Sequence, residues 1–140
     1  MSRVSARDKL LKAAGELFYD HGITATGVDA VITRAGVAKM SLYNNFKSKS
    51  ELIAAYIDAR HQEWLDLFAR RSDNLSNGWE RVLAVFDAYQ DHAEFDYQNG
   101  FRGCGLLNAA AEMPAGSQER EAVNRHKQEV REIVINQLNE

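Results

Sequence analysis

The chain has 140 residues, a formal charge of −3, 45% hydrophobic and 26% charged residues. That length makes one or two small domains burying roughly two-thirds of their unfolded surface, and no stretch approaches the ~20 apolar residues of a membrane span. The start, MSRVSARDK, lacks the apolar centre of a secretory leader, and the lone Cys104 excludes an internal disulfide, so a cytoplasmic, reducing setting is expected.

Charge is unevenly placed. Residues 1–50 hold eight basic against four acidic side chains, +4, which leaves −7 for the remainder. A basic start on an acidic body fits one end that meets nucleic acid and one kept away from it. Ser5 with Asp8 three residues on predicts the cap of a first helix, and Leu10, Ala14, Leu17 and Phe18 give it an apolar stripe. Gly22 predicts a left-handed stop. Arg3 and Arg7 sit at its opening, either against phosphate or as a solvated basic start.

Thr26, with Asp29 behind it, is expected to cap a second helix over Val28 to Ala35 with Val31 and Ile32 inward. Gly36 breaks that run inside Ala35-Gly36-Val37-Ala38. A third short helix follows from Lys39 to Phe46, with Leu42 and Phe46 four apart on a buried face. Its other face carries Lys39, Met40, Ser41, Tyr43, Asn44 and Asn45. Two short helices around a tight glycine turn form a helix-turn-helix, whose second helix enters the DNA major groove. Lys39 suits a phosphate or guanine edge, Met40 a thymine methyl, and Asn44 and Asn45 adenine. The hydroxyls of Ser41 and Tyr43 suit phosphate oxygens. The competing account is a solvated polar face.

Ser48 and Glu51 predict the capping box of a long fourth helix from Lys49 to about Arg70, with a loop over Arg70–Asn74. Lys47 and Lys49 beside its first turn read as a phosphate clamp. Leu52, Ile53, Tyr56, Ile57, Trp64, Leu67 and Phe68 recur at helical spacing, so this helix should pack on both halves of the chain. Asn77 with Glu80 opens a fifth helix carrying Val82, Leu83, Phe86 and Tyr89, fading near Ala93 to Asp96. The glycine-rich tract Asn99–Gly105 is a connection between helices. It lacks the preceding strand and Gly-Lys-Ser/Thr ending of a phosphate loop. A sixth helix runs to Met113-Pro114, and Ser117 caps a last one to about Leu138, striped by Val123, Val130, Ile133 and Val134.

The segments LLKAAGELFYDHG and TGVDAVITRAGVAKMSLYNNFKSKSEL together resemble the tetracycline-repressor-like (TetR) family of bacterial transcription regulators. The marks are the first helix ending Phe-x-x-x-Gly, the Thr before the second helix, the Ala-Gly-Val turn, the Leu-Tyr pair and Phe-Lys-x-Lys. The resemblance covers about the first 55 residues. It implies an all-α fold: a three-helix DNA-binding domain over 1–50, and a helical ligand and dimerisation domain over 51–140, joined by the long fourth helix. It implies a homodimer on a palindromic DNA operator, and a small apolar or amphipathic effector. Thr26, Lys39, Met40, Ser41, Tyr43, Asn44, Asn45, Lys47 and Lys49 are the expected DNA contacts. One departure is Ala38, where the family often caps with Ser; an Ala cap costs ~1 kcal/mol. The other is that the family's last two helices are lacking, so the chain is a fragment or dimerises differently.

In the C-terminal half, Trp64, Phe68, Trp79, Phe86, Tyr89 and Phe101 either pack a core or, on the resemblance, line an effector pocket with Cys104 and Asn108. Asn108 or His126 would supply its polar group. Cys104 is a buried inert thiol or, beside Arg102, a redox sensor. No cofactor or metal is expected, because His21, His61, His92 and His126 form no His-x-x-x-His or Glu-x-x-His pair. No nucleophile signature appears, so an enzyme is disfavoured. A helical carrier or protein-interaction module without DNA binding is the alternative.

Overall fold

The computed structural model describes residues 3–95 and 97–139, so Asp96, at the expected fading of the fifth helix, lies outside the described residues. The described residues form seven α-helices and no strand: α1 (Ala6–His21), α2 (Val28–Ala35), α3 (Lys39–Asn45), α4 (Lys49–Ser72), α5 (Gly78–Ala93), α6 (Gly105–Glu112) and α7 (Gln118–Leu138).

Short polar side chains set most starts. Ser5 accepts the Asp8 N–H at 3.0 Å, Ser48 that of Glu51 at 3.1 Å, and Ser117 that of Arg120 at 3.2 Å. Asn77 Oδ1 takes two, from Trp79 at 2.8 Å and Glu80 at 3.3 Å. Each bond satisfies one amide that a helix start leaves without an internal partner. Three expectations need correction. Gly27, not Thr26, occupies the cap position of α2, with no side-chain bond. α4 runs on through Ser72, so Arg70–Ser72 are helical and not loop. Gly22 has φ 88° but ψ 159°, the mirror of an extended residue and not a left-handed helical stop.

Two apolar clusters hold the helices. The first joins Leu10, Ala14, Phe18, Val31, Leu42 and Phe46 to Leu52, Ile53, Tyr56 and Ile57 of α4, then reaches Leu106, Ala109, Ala122 and Val123 on α6 and α7. This cluster passes without a break across residue 50, the expected domain boundary. The second gathers Trp64 and Phe68 of α4, Ala84, Val85 and Ala88 of α5, and partly buried Val130, Ile133 and Val134 of α7. Trp64 is fully buried, its ring stacked on Phe68 at 5.6 Å between centroids. On α5 the buried positions are Val82, Ala84, Val85 and Ala88, while Leu83 and Phe86, expected inside, face solvent. The small residues Ala84, Val85 and Ala88 of α5 turn inward, where Trp64 and Phe68 of α4 already supply the rings of this core.

Candidate nucleic-acid interface

The turn between α2 and α3 is made by Gly36 at φ 67°, ψ 36°, a left-handed geometry that costs glycine little. Its N–H bonds the Ile32 carbonyl at 3.0 Å, and the Val37 N–H reaches the same oxygen at 3.4 Å. The chain therefore leaves α2 in a fixed direction. α3 rests on Leu42 and Phe46, both essentially without solvent contact, and the Arg7 guanidinium covers the Phe46 ring at 4.7 Å. Ala38 offers no side-chain cap, as expected from its identity.

Burying Leu42 and Phe46 turns the opposite face outward. Met40 is 69% and Tyr43 44% exposed. Lys39, Asn44 and Lys47 are exposed, and Ser41 is partly so. Lys39 Nζ lies 3.5 Å from the Asp29 carboxylate, a solvated pair that a phosphate can replace.

Three expected contacts sit differently. Thr26 is buried, and its hydroxyl faces the Gly22 carbonyl at 2.7 Å and the Leu17 carbonyl at 3.3 Å. It closes the end of α1 instead of presenting a donor to phosphate. Asn45 is half-buried and donates its amide to the Ser41 carbonyl at 2.7 Å, so its donor is used within α3. Lys49 Nζ donates to the Ile23 carbonyl at 2.8 Å. Of the two lysines at the start of α4, Lys47 projects to solvent and Lys49 ties α4 to the end of α1.

Behind this surface lies a polar junction that sequence reasoning missed. Glu112, the last residue of α6, accepts the N–H groups of Ile23 at 2.7 Å and Thr24 at 2.9 Å. Burial works against its charge, but those two amides, the Thr24 hydroxyl and Lys49 together hold its carboxyl below the usual range. Gly22 makes room: a Cβ there would lie 3.2 Å from the Glu112 carboxylate. Ser50 bonds Glu119 of α7. The glycine-rich connection docks on α1, where Tyr19 Oη donates to the Gly103 carbonyl at 2.9 Å and accepts the Arg102 N–H at 2.5 Å. Asn99 donates to Asp20 at 2.6 Å, and Tyr97 stacks on Tyr19 at 4.4 Å.

Next to that connection, a cavity of about 200 Å³ opens between α4, α5 and α6. Tyr89, Phe101 and Cys104 of the expected pocket line it, together with the unanticipated Arg60, His92 and Tyr97. Trp64 and Phe68 belong to the second core instead. Phe86 and Trp79 point to solvent at 65% and 62% exposure. Asn108 donates to the Arg102 carbonyl at 2.9 Å and braces the loop. His126 is buried against Trp64 and meets His61 through their Nδ1 atoms, away from the cavity lining. Burial lowers both His92 and His126 to about 4, so each is neutral at pH 7.

Residues 10–56 match the model of the family described as "Bacterial regulatory proteins, tetR family". The HTH-type transcriptional activator FasR of Mycolicibacterium smegmatis is 38% identical over 103 residues, 73% of this chain and 46% of the activator. The transcriptional repressor KstR2 of the same species is 34% identical over 88 residues, 60% of this chain and 41% of the repressor. This chain thus spans less than half the length of those two relatives. Among solved structures, a TetR-family transcriptional regulator from Streptomyces coelicolor is 32% identical, covering 88% of this chain and 64% of its own, with a TM-score of 0.79. A TetR transcriptional regulator from Chloroflexus aurantiacus shares the fold at a TM-score of 0.82 and 24% identity, covering 96% of this chain and 67% of its own.

Proposed function

Because this chain belongs to the TetR family of bacterial regulatory proteins, we propose that it is a transcription regulator that binds operator DNA through the outer face of α3. The observation that carries the proposal is the pairing of a fully buried Leu42–Phe46 underside with an exposed row of Lys39, Met40, Tyr43 and Asn44. A rigid base fixes the angle of the helix, and the outward side chains are those that read major-groove edges and phosphates. Lys47 at the start of α4 adds a phosphate contact. Residues 1–50 form the DNA-binding head, and 51–140 the effector-binding and dimerisation body.

The regulator acts as a homodimer in the cytoplasm, with two α3 helices meeting successive major grooves roughly 34 Å apart on a palindromic site. A small apolar or amphipathic effector fills the cavity beside Arg60, Tyr89 and Phe101. The cavity touches the Gly103–Leu106 segment, and α6 ends on Glu112, which grips the α1–α2 loop. An effector that prefers one arrangement of α6 therefore shifts the head, and by linkage DNA alters effector affinity equally. Repression is the proposed polarity.

Selection of bound duplexes from a random DNA pool tests the proposal. The expected product is a palindrome with half-sites one helical turn apart, and affinity that falls steeply with salt. Recovery of unenriched sequence at low salt, or of no DNA, would overturn it.

A further inference from the structure

We propose that the cavity between α4, α5 and α6 takes a single-ring aromatic monocarboxylate, its carboxylate on Arg60 and its ring against Tyr89, Tyr97 and Phe101. The inference rests on the effector reading above and gives it a chemical class.

Size comes first. The cavity is about 200 Å³. Drug-sized ligands occupy roughly 300–1,000 Å³, while an apolar cavity of about 150 Å³ already holds benzene. The space therefore suits one ring plus one small polar group, and it is too small for a steroid or a long acyl chain. The walls agree, since Tyr89, Tyr97 and Phe101 offer aromatic faces and edges, and Ala93 and Leu106 complete an apolar lining.

Charge comes second. The Arg60 side chain is only 18% exposed. One of its N–H groups goes to Glu63 at 2.9 Å and one to the Tyr97 hydroxyl at 3.2 Å, so that among the described residues three of its five donors are open. Glu63 is half exposed and lines the neighbouring groove against α1 instead of this cavity, with its carboxylate 3.8 Å from His92 Nε2. A guanidinium with open donors on a cavity wall matches a carboxylate, which accepts in the same plane. His92 adds a directional group without adding charge. Its Nε2 is buried with no hydrogen-bond partner among the described residues, and the ring is neutral at pH 7. An orphaned nitrogen of this kind costs free energy until a ligand oxygen or a water meets it. The first turn of α6, whose cap residue Cys104 provides no side-chain bond, lies on the same wall. An ammonium ligand would face Arg60, and an uncharged one would leave its donors unmet.

Titration calorimetry on the full chain at pH 7.5 with benzoate, benzamide and benzylamine separates the terms. Benzoate should bind at least tenfold more tightly than benzamide, and benzylamine should not bind. Arg60→Gln should erase the preference for benzoate, while Phe101→Ala should weaken benzoate and benzamide alike. Equal or tighter binding of benzamide to the unaltered protein overturns the anion assignment and leaves the cavity as an effector site. So does a benzoate preference that persists in Arg60→Gln. No heat and no rise in Tm with any of the three overturns both the assignment and the cavity as the site. The isostere comparison on the unaltered chain stands even if Arg60→Gln fails to fold.

Discussion

The head that presents α3 and the junction that joins it to the body are held by opposite means. α3 has little of its own: seven residues, no side-chain cap and no acidic first turn. It stays in place because Leu42 and Phe46 are sunk in a core shared with α1 and α4. The junction is the reverse. Glu112, Lys49, Ser50, Glu119 and Asp20 join segments 26 to 89 residues apart in sequence through charged and polar bonds. Apolar packing is non-directional and persists through small shifts, whereas each polar bond demands its geometry. On the proposed function, the surface offered to DNA should therefore be the rigid one, and the surface able to move between arrangements should lie behind it.

The hardest tests remove one core residue from beneath α3 and one from the body beyond the junction. Leu42→Ala should cost about 2–5 kcal/mol and Trp64→Ala about 3–5 kcal/mol in urea unfolding. At temperatures where both remain folded, Leu42→Ala should abolish operator retardation, while Trp64→Ala should keep affinity within a few-fold. Equal losses would remove the contrast.

Acid should act on the body first. His92 and His126 titrate at about 4 in the fold against an ordinary 6.5. A depressed folded value means the stabilising contribution is complete above pH 6.5 and is lost as the pH falls through 4. The urea midpoint should fall across that window, with about two protons taken up on unfolding. A flat midpoint there contradicts the burial of both rings.

At the junction, Glu112→Gln should cost about 1.5–3 kcal/mol, the range for hydrogen bonds to a charged group. Its folded carboxyl titrates below the ordinary 4.5, so the contribution is full above pH 4.5 and disappears as pH drops through the lower folded value. A variant whose acid limb matches the parent would show the carboxylate to be idle.

The two lysines give the finest comparison. Lys47→Ala should reduce the salt slope of operator binding by about one without moving Tm. Lys49→Ala should lower stability by about 1 kcal/mol, the worth of one hydrogen bond, and leave the slope nearly unchanged. The reverse pattern would assign the phosphate to Lys49. Of similar size but opposite sign, Ala38→Ser should add about 1 kcal/mol by capping α3.

Local signals in the chain were legible. Ser5, Ser48, Asn77 and Ser117 cap the helices they precede because a cap needs only its own next few residues. The two buried and several exposed positions of α3 followed from spacing alone. Thr26 misled because threonine both caps helices and closes loops, and the choice was made by the Gly22 and Leu17 carbonyls folding back over it. Phe86 misled because apolar spacing cannot say which stripe of α5 meets a close neighbour. Glu112 gave no warning at all. Its partners are backbone amides 88 and 89 residues away, and any sequence carries those. Arg60 and His92 were hidden for the same reason, since a cavity belongs to several helices at once.

Between Ile57 and Trp64, α4 leaves one apolar cluster and enters the other, and Arg60 and His61 fill the gap with partly buried polar side chains. A helix continuous in hydrogen bonding should thereby be divided in cooperativity. Amides before Ile57 should exchange with deuterium in step with α1, and those beyond Trp64 in step with α5 and the second half of α7. Under mild denaturant the second group could then open as a unit while the first stays closed, so a destabilised body need not take the head down with it.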